Sequence, residues 1–276
     1  MRIVTFRQNG VVGHGVRTGN SIQVHPEATS AVDLARRGTS AASTEDVALA
    51  DIELLPPVPN PGKIICIGLN YRAHAIEGGN AIPDYPAVFM RCTTSLAAAG
   101  GAFIYPECSD KLDYEAELAV VIGKTATNVS AANALDHVAG YSCFNDGSVR
   151  DYQRKSTQWT MGKNFDGTGS FGPELVTPDE LPAGASGLRI VARLNGQVMQ
   201  DSNTADMIFD VATLIATLSE AMTLEPGDVI ATGTPSGVGY ARTPPVFMRP
   251  GDTIEIEIEG IGTLTNIVAK RAAVVS

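Results

Sequence analysis

The alternation of apolar and polar positions predicts a chain built mainly from strands. The stretch Leu112-Asp113-Tyr114-Glu115-Ala116-Glu117-Leu118-Ala119-Val120-Val121-Ile122-Gly123 ends in a continuous apolar run, the pattern of a strand buried on both faces, yet it opens with carboxylates at alternate positions. In a strand, Asp113, Glu115 and Glu117 share one face with Ala119 and Val121, and Tyr114, Ala116, Leu118, Val120 and Ile122 take the other. Lys63–Gly68 is a second short apolar run, and Val138–Phe144 a third. Arg189–Leu194 followed by Asn195-Gly196 predicts a hairpin, because that dipeptide accepts the positive φ angles of a type I′ turn. Thr253–Glu259 alternates isoleucine with glutamate, and Gly260 and Gly262 open a return strand.

Two helices are expected in this β-rich body. Ser130–Ala139 starts at a serine cap and stops at Gly140. Met207–Met222 carries Ile208, Val211, Ala212, Ile215 and Leu218 on one stripe, with Asp206 as cap. Nearer the N-terminus, strands at Arg2–Gln8 and Ser21–Val24 precede a helix near Ser30–Arg37. Pro56, Pro57, Pro59 and Pro61 then exclude helix interior and central strand, so this stretch reads as a stiff linker. The expected organisation is a small N-terminal α/β domain with its linker over residues 1–60 and a catalytic domain over 61–276, in an α+β, β-rich class.

Composition narrows the partners. No apolar run reaches the ~18 residues of a membrane span, and "MRIVTFRQNG" reads as a strand and turn, not a signal peptide, so a cytoplasmic protein is expected. A net charge of −10 argues against nucleic acid. The densest basic cluster, Arg150, Arg154 and Lys155, has Asp146 and Asp151 among it. Cys66, Cys92, Cys108 and Cys143 form no CxxC pair and read as free thiols.

Four segments carry candidate chemistry. Glu115 and Glu117 on one strand face either hold a hard cation such as Mg²⁺, Mn²⁺ or Ca²⁺, or line a wet acidic surface like that of Glu255, Glu257 and Glu259. In Asn145-Asp146-Gly147-Ser148-Val149-Arg150-Asp151-Tyr152-Gln153, Asp146 offers a third oxygen ligand, and Arg150, Gln153 and the later Lys163 offer donors to an anion; a plain turn and solvated loop is the alternative. In Gly68–Gly79, a helix would set His74 and Glu77 on one face, where the glutamate could orient the histidine as a general base; a capped surface helix is the alternative. Val229–Gly239 exposes backbone N–H groups that could cradle an anion, or is an ordinary glycine-rich turn.

Together these residues resemble the fumarylacetoacetate hydrolase superfamily, in particular its acylpyruvase-like and 2-hydroxyhepta-2,4-diene-1,7-dioate isomerase-like members. The resemblance runs from about Lys63 to about Val268 through "KIICIGLNYRAHA", "LDYEAELAVVIGKTATNVS", "ALDHVAGYSCFNDGSVRDYQ", "QWTMGKNFDGTGSFGPELVTPDEL", "MTLEPGDVIATGTPSGVG" and "RPGDTIEIEIEGIGTLTN". It implies a mixed β-sandwich roll, a homodimer, and one divalent ion held by Glu115, Glu117 and Asp146. It implies further that His74 and Glu77 activate a water, that Lys163, Arg150 and Gln153 hold substrate and developing charge, and that Thr234 meets the substrate carboxylate. The expected activity is metal-dependent hydrolysis of a C–C bond in a 2,4-dioxo acid through an enolate, with decarboxylation or isomerisation of oxaloacetate-like or unsaturated 2-oxo diacids as the alternative; a fold-retaining binding protein without activity is the third reading. The chain departs from the family pattern at Gly147, where many members carry a bulky residue, and at Arg91, where they often carry lysine.

Overall fold

The computed structural model describes residues 1–39 and 46–271; residues 40–45 and 272–276, which fall within the two expected regions, lie outside the described residues. The first strands are β1 (Arg2–Gln8), β2 (Val11–Thr18), β3 (Ser21–Val24), β4 (Asp46–Ala48) and β5 (Glu53–Leu55). Then come β6 (Ile64–Gly68), β7 (Ala87–Arg91), β8 (Leu96–Ala98), β9 (Ala102–Tyr105), β10 (Leu112–Asp113), β11 (Ala116–Ile122), β12 (Val138–Asp146) and β13 (Ser148–Val149). The last are β14 (Gly169–Val176), β15 (Arg189–Leu194), β16 (Gln197–Asn203), β17 (Val229–Ala231), β18 (Thr253–Ile258) and β19 (Gly262–Lys270). The helices are α1 (Ala31–Arg37), α2 (Arg72–Glu77), α3 (Ala131–Ala134), α4 (Arg150–Gln153), α5 (Thr160–Lys163) and α6 (Val211–Ala221).

One large mixed sheet runs β4-β3-β2-β1-β14-β12-β11-β17-β6-β7, with β5 added on β1 and β8 on β14. A five-stranded sheet, β16-β15-β18-β19-β9, packs against it. The apolar run in β11 is explained by its place between β12 and β17, with both faces covered. Leu118, Val120 and Ile122 enter the core shared with Ile254, Ile256 and Ile258 of β18, whereas Ala119 and Val121 enter a second core with Ile3 and Leu34. Each large apolar side chain so buried contributes about 1.5–3 kcal/mol. The β-rich α+β class and the mixed-sheet architecture expected from the resemblance are what the chain adopts. No helix among the described residues is long and apolar enough to cross a membrane.

The Asn195-Gly196 turn forms as expected, at φ 52° and 79°. In β18 the isoleucines are buried and the glutamates lean outward, Glu257 pairing with Arg193 at 2.5 Å, so this acidic row is a surface. Both expected helices are shorter than the pattern suggested. After Ser130 a single turn, α3, passes through a 3₁₀ turn at Leu135–His137, and Val138 already begins β12. The sheet claims this run, because the strand from Val138 pairs with β11 on one side and with β14 on the other. The later helix begins at Asp210, whose carboxylate caps the Thr213 N–H at 2.8 Å, and not at Asp206. Ile208 lies outside it because Asn70 takes the backbone N–H groups of Ile208 and Phe209 at 2.7 and 2.8 Å.

Candidate active site

The acidic row at the mouth of β11 sits where the ladder opens. Asp113 lies in β10, Tyr114 and Glu115 bridge the gap, and Glu117 is the second residue of β11. The Asp146 N–H donates to the Glu115 carbonyl at 2.9 Å, so the end of β12 is fastened beside the two glutamates. One carboxylate oxygen from each of Glu115, Glu117 and Asp146 falls within 4.8 Å of the others, and all three residues are buried. They line a cavity of about 420 Å³ together with His74, Arg150, Gln153, Lys163 and Thr234. Eight of the nine residues singled out in the sequence therefore meet in one place, and the ninth, Glu77, stands behind His74 with its Oε1 2.8 Å from Nδ1.

Charge in this cavity is unevenly matched. Lys163 Nζ lies 2.5 Å from both Glu115 Oε2 and Asp146 Oδ2, and Arg150 Nη2 lies 2.7 Å from Glu115 Oε1. Burial alone would raise the Glu115 carboxyl, but Arg150, Lys163 and His74 more than offset it and hold it well below the usual range. Among the described residues Glu117 has no such partner: a single N–H, from Gly233 at 2.9 Å, donates to its Oε2. Its carboxyl is pushed well above the usual range by burial and by the charges of Asp146 and Glu115 beside it. A buried carboxylate among carboxylates, short of positive charge, is where a hard divalent cation fits. The three oxygen donors meet that demand.

The glycine-rich segment after β17 does cradle anions, and those seen are the protein's own. Gly233 N–H serves Glu117, Gly237 N–H serves Glu77 at 2.9 Å, and Gly239 and Tyr240 N–H groups serve Asp113 at 2.8 and 3.0 Å. Gly233 adopts φ 98°, and a Cβ there would come within 2.7 Å of Asn70 Cβ, so no other residue places that N–H equally well. Thr234 is buried on the same loop and accepts from Gln200 Nε2 at 2.8 Å. The Glu77–Gly237 contact ties α2 to this loop and sets His74 over the acidic triad.

Several site residues were not assigned from the sequence. Asp113 accepts from Arg150 Nε at 2.7 Å, and Arg150 Nη1 in turn donates to Gln153 Oε1 at 2.9 Å, so Asp113 aims the guanidinium that the sequence offered as an anion donor. Arg91 is fully buried and donates to Asp146 Oδ1 at 2.5 Å, to the Gly147 carbonyl at 3.1 Å, to Thr168 Oγ1 at 3.0 Å and to Ser95 Oγ at 3.1 Å. Its replacement of a lysine is thus a fork at the back of a candidate ligand. Gly147 is explained by Phe103, whose ring would lie 2.3 Å from a Cβ at this position. Trp159 and Tyr240 complete the walls. The alternation of carboxylates at 113, 115 and 117 signals Asp113, but contacts made across the sheet have no local signature.

Comparison with known proteins agrees with this geometry. Residues 63–269 match the family described as fumarylacetoacetate (FAA) hydrolase C-terminal, and residues 1–57 match one described as Rv2993c-like, N-terminal. The chain is 47% identical to the oxaloacetate tautomerase YisK of Bacillus subtilis over 222 residues, covering 79% of this chain and 73% of that one. It is 38% identical to the mitochondrial oxaloacetate tautomerase FAHD2A of Homo sapiens, over 97% of this chain and 91% of that one. The crystal structure of 5-carboxymethyl-2-hydroxymuconate delta-isomerase from Mycobacterium smegmatis superposes with a TM-score of 0.83 at 34% identity, covering 98% of this chain and all of that one. On its sheets, its acidic triad and these matches together, the chain belongs to the fumarylacetoacetate hydrolase superfamily.

Proposed function

We propose that this chain is an isomerase of small 2-oxo diacids, catalysing keto–enol proton transfer in an oxaloacetate-like acid. The observation that carries the reading is a cation-ready carboxylate triad facing a histidine whose Nδ1 is already engaged, all around one small cavity. The tautomerase and isomerase activities named for the relatives support it over the hydrolysis expected from the sequence. When bound at Glu115, Glu117 and Asp146, a divalent cation supplies positive charge that favours the enolate form of a 2-oxo acid.

His74 donates its Nδ1 proton to Glu77, which leaves Nε2 free to take a proton from the carbon next to the 2-oxo group. The electrons of that C–H bond become the C=C bond, and the proton returns to oxygen, so nothing enters or leaves. Lys163, pinned by Glu115 and Asp146, and the amide nitrogen of Gln153, whose oxygen is taken by Arg150, hold the charge that develops on oxygen. C–C hydrolysis is the second reading, favoured by the same His74–Glu77 pair, which could equally activate a water.

The test is a panel of oxaloacetate, an acylpyruvate and an unsaturated 2-oxo diacid with Mg²⁺ or Mn²⁺. Enol absorbance, pyruvate and CO₂ are followed separately for the native chain and for His74→Ala. The expected result is fast change in enol absorbance without pyruvate or CO₂ release, slowed at least about 100-fold by His74→Ala. Stoichiometric pyruvate from the acylpyruvate, with no acceleration of tautomerisation, would replace this reading with the hydrolytic one.

A further inference from the structure

The cations lining the cavity are not equally committed. Arg150 is paired with Asp113 and Glu115, and Lys163 with Glu115 and Asp146. Arg154 lines the same cavity but is exposed, and among the described residues its guanidinium has no carboxylate or carbonyl partner. It is nevertheless positioned: its Cζ lies 4.5 Å from the centre of the Tyr240 ring, the same ring on which Arg150 stacks at 4.4 Å. Tyr240 is itself anchored, through its N–H, to Asp113. One aromatic ring thus holds two guanidinium groups, a buried one beside the triad and an exposed one at the rim.

We infer that Arg154 is the specificity residue that receives the second, distal carboxylate of the substrate. A 2-oxo acid whose reacting end lies at the buried triad presents its other end to the rim, where Arg154 offers positive charge with no protein anion to neutralise it. A guanidinium suits a carboxylate because its fork donates two parallel N–H bonds, and stacking on Tyr240 reduces the rotamer freedom lost on binding. The site therefore selects diacids over 2-oxo acids with neutral tails. This rests on the isomerase reading for the reaction, but the recognition it describes can be measured without turnover.

Two measurements test it. The ratio of kcat/KM for oxaloacetate to that for phenylpyruvate, which lacks the distal carboxylate, is compared in the native chain and in Arg154→Ala and Arg154→Lys. The expected loss of diacid preference in Arg154→Ala is about tenfold, with partial recovery in Arg154→Lys. Calorimetric binding of malate and lactate in the presence of Mg²⁺ asks the same question of a diacid and a monoacid differing in that one group. Malate should bind the native chain more tightly than it binds Arg154→Ala, with a much smaller change for lactate. Malate binding no weaker in Arg154→Ala, or equal losses for malate and lactate, overturns the inference even if turnover is normal. If the native chain turns over no oxaloacetate while malate discrimination follows Arg154, the isomerase reading fails and the carboxylate site stands.

Discussion

At the scale of single residues, the decisive feature is the mismatch around Glu117. Glu115 and Asp146 each have a basic partner at 2.5 Å, while Glu117 has one backbone N–H and two carboxylate neighbours. Without a cation, that arrangement costs stability, because like charges taken out of water repel at short range. Glu117→Gln keeps the shape, removes the charge and can still accept the Gly233 N–H. In chelator, its melting temperature should equal or exceed that of the native chain, each kcal/mol relieved appearing as about 2–4 °C. Millimolar Mg²⁺ should raise the native melting temperature, by an amount that grows with ligand saturation, and leave Glu117→Gln nearly unmoved. Thermal melts with and without Mg²⁺ read both signs; an equal Mg²⁺ shift in the two proteins would remove the triad as the cation site.

Among the elements, legibility followed the range of the forces involved. β11 was readable because its alternation is local and both its faces are filled: the odd positions from Ala119 and the even positions from Leu118 go to separate cores. The 195–196 turn was readable because backbone φ demands are local too. The start of α6 was misplaced because two aspartates, Asp206 and Asp210, both precede the apolar stripe, and what separates them is Asn70, distant in sequence, taking the backbone between. The nine site residues were placed by motif, but Arg91, Asp113 and Tyr240 act through contacts across strands and loops that periodicity does not register. The cap assignment is open to measurement. Asp210→Ala should cost about 1 kcal/mol through loss of the Thr213 N–H bond. Asp206→Ala, which loses an exposed contact to Ser202, should cost less than about 0.5 kcal/mol. Urea denaturation of the two variants decides it, and a larger loss at Asp206 would return the helix start to where the stripe alone had put it.

For the molecule as a whole, the question is how the first sixty residues bear on the rest. The proline-rich stretch suggested a boundary, yet β1 continues the large sheet by pairing Arg2 with Val176 and Ile3 with Leu175 on β14. Ile3, Val32 and Leu34 fill the same core as Ala119, Phe144 and Leu175, so one face of the site-bearing strands is covered from the N-terminal side. Electrostatics point the same way: Glu174 on β14 is buried, and its ion-pair partners are Arg2 at 2.6 Å and Arg17 at 3.5 Å, both N-terminal. Removing residues 1–57 would bare part of the β14 edge, open that core and leave Glu174 without its ion-pair partners. The full chain should therefore melt in one transition, and the truncated chain should lose cooperative melting or fall by more than about 10 °C. Glu174→Gln should destabilise the full chain, where the charge is paired, and should change the truncated chain less, where its partners are gone. Scanning calorimetry of the four proteins tests this. Two separate transitions in the full chain, with the higher one kept intact by the truncated chain, would mean that the shared sheet conceals two independently stable domains.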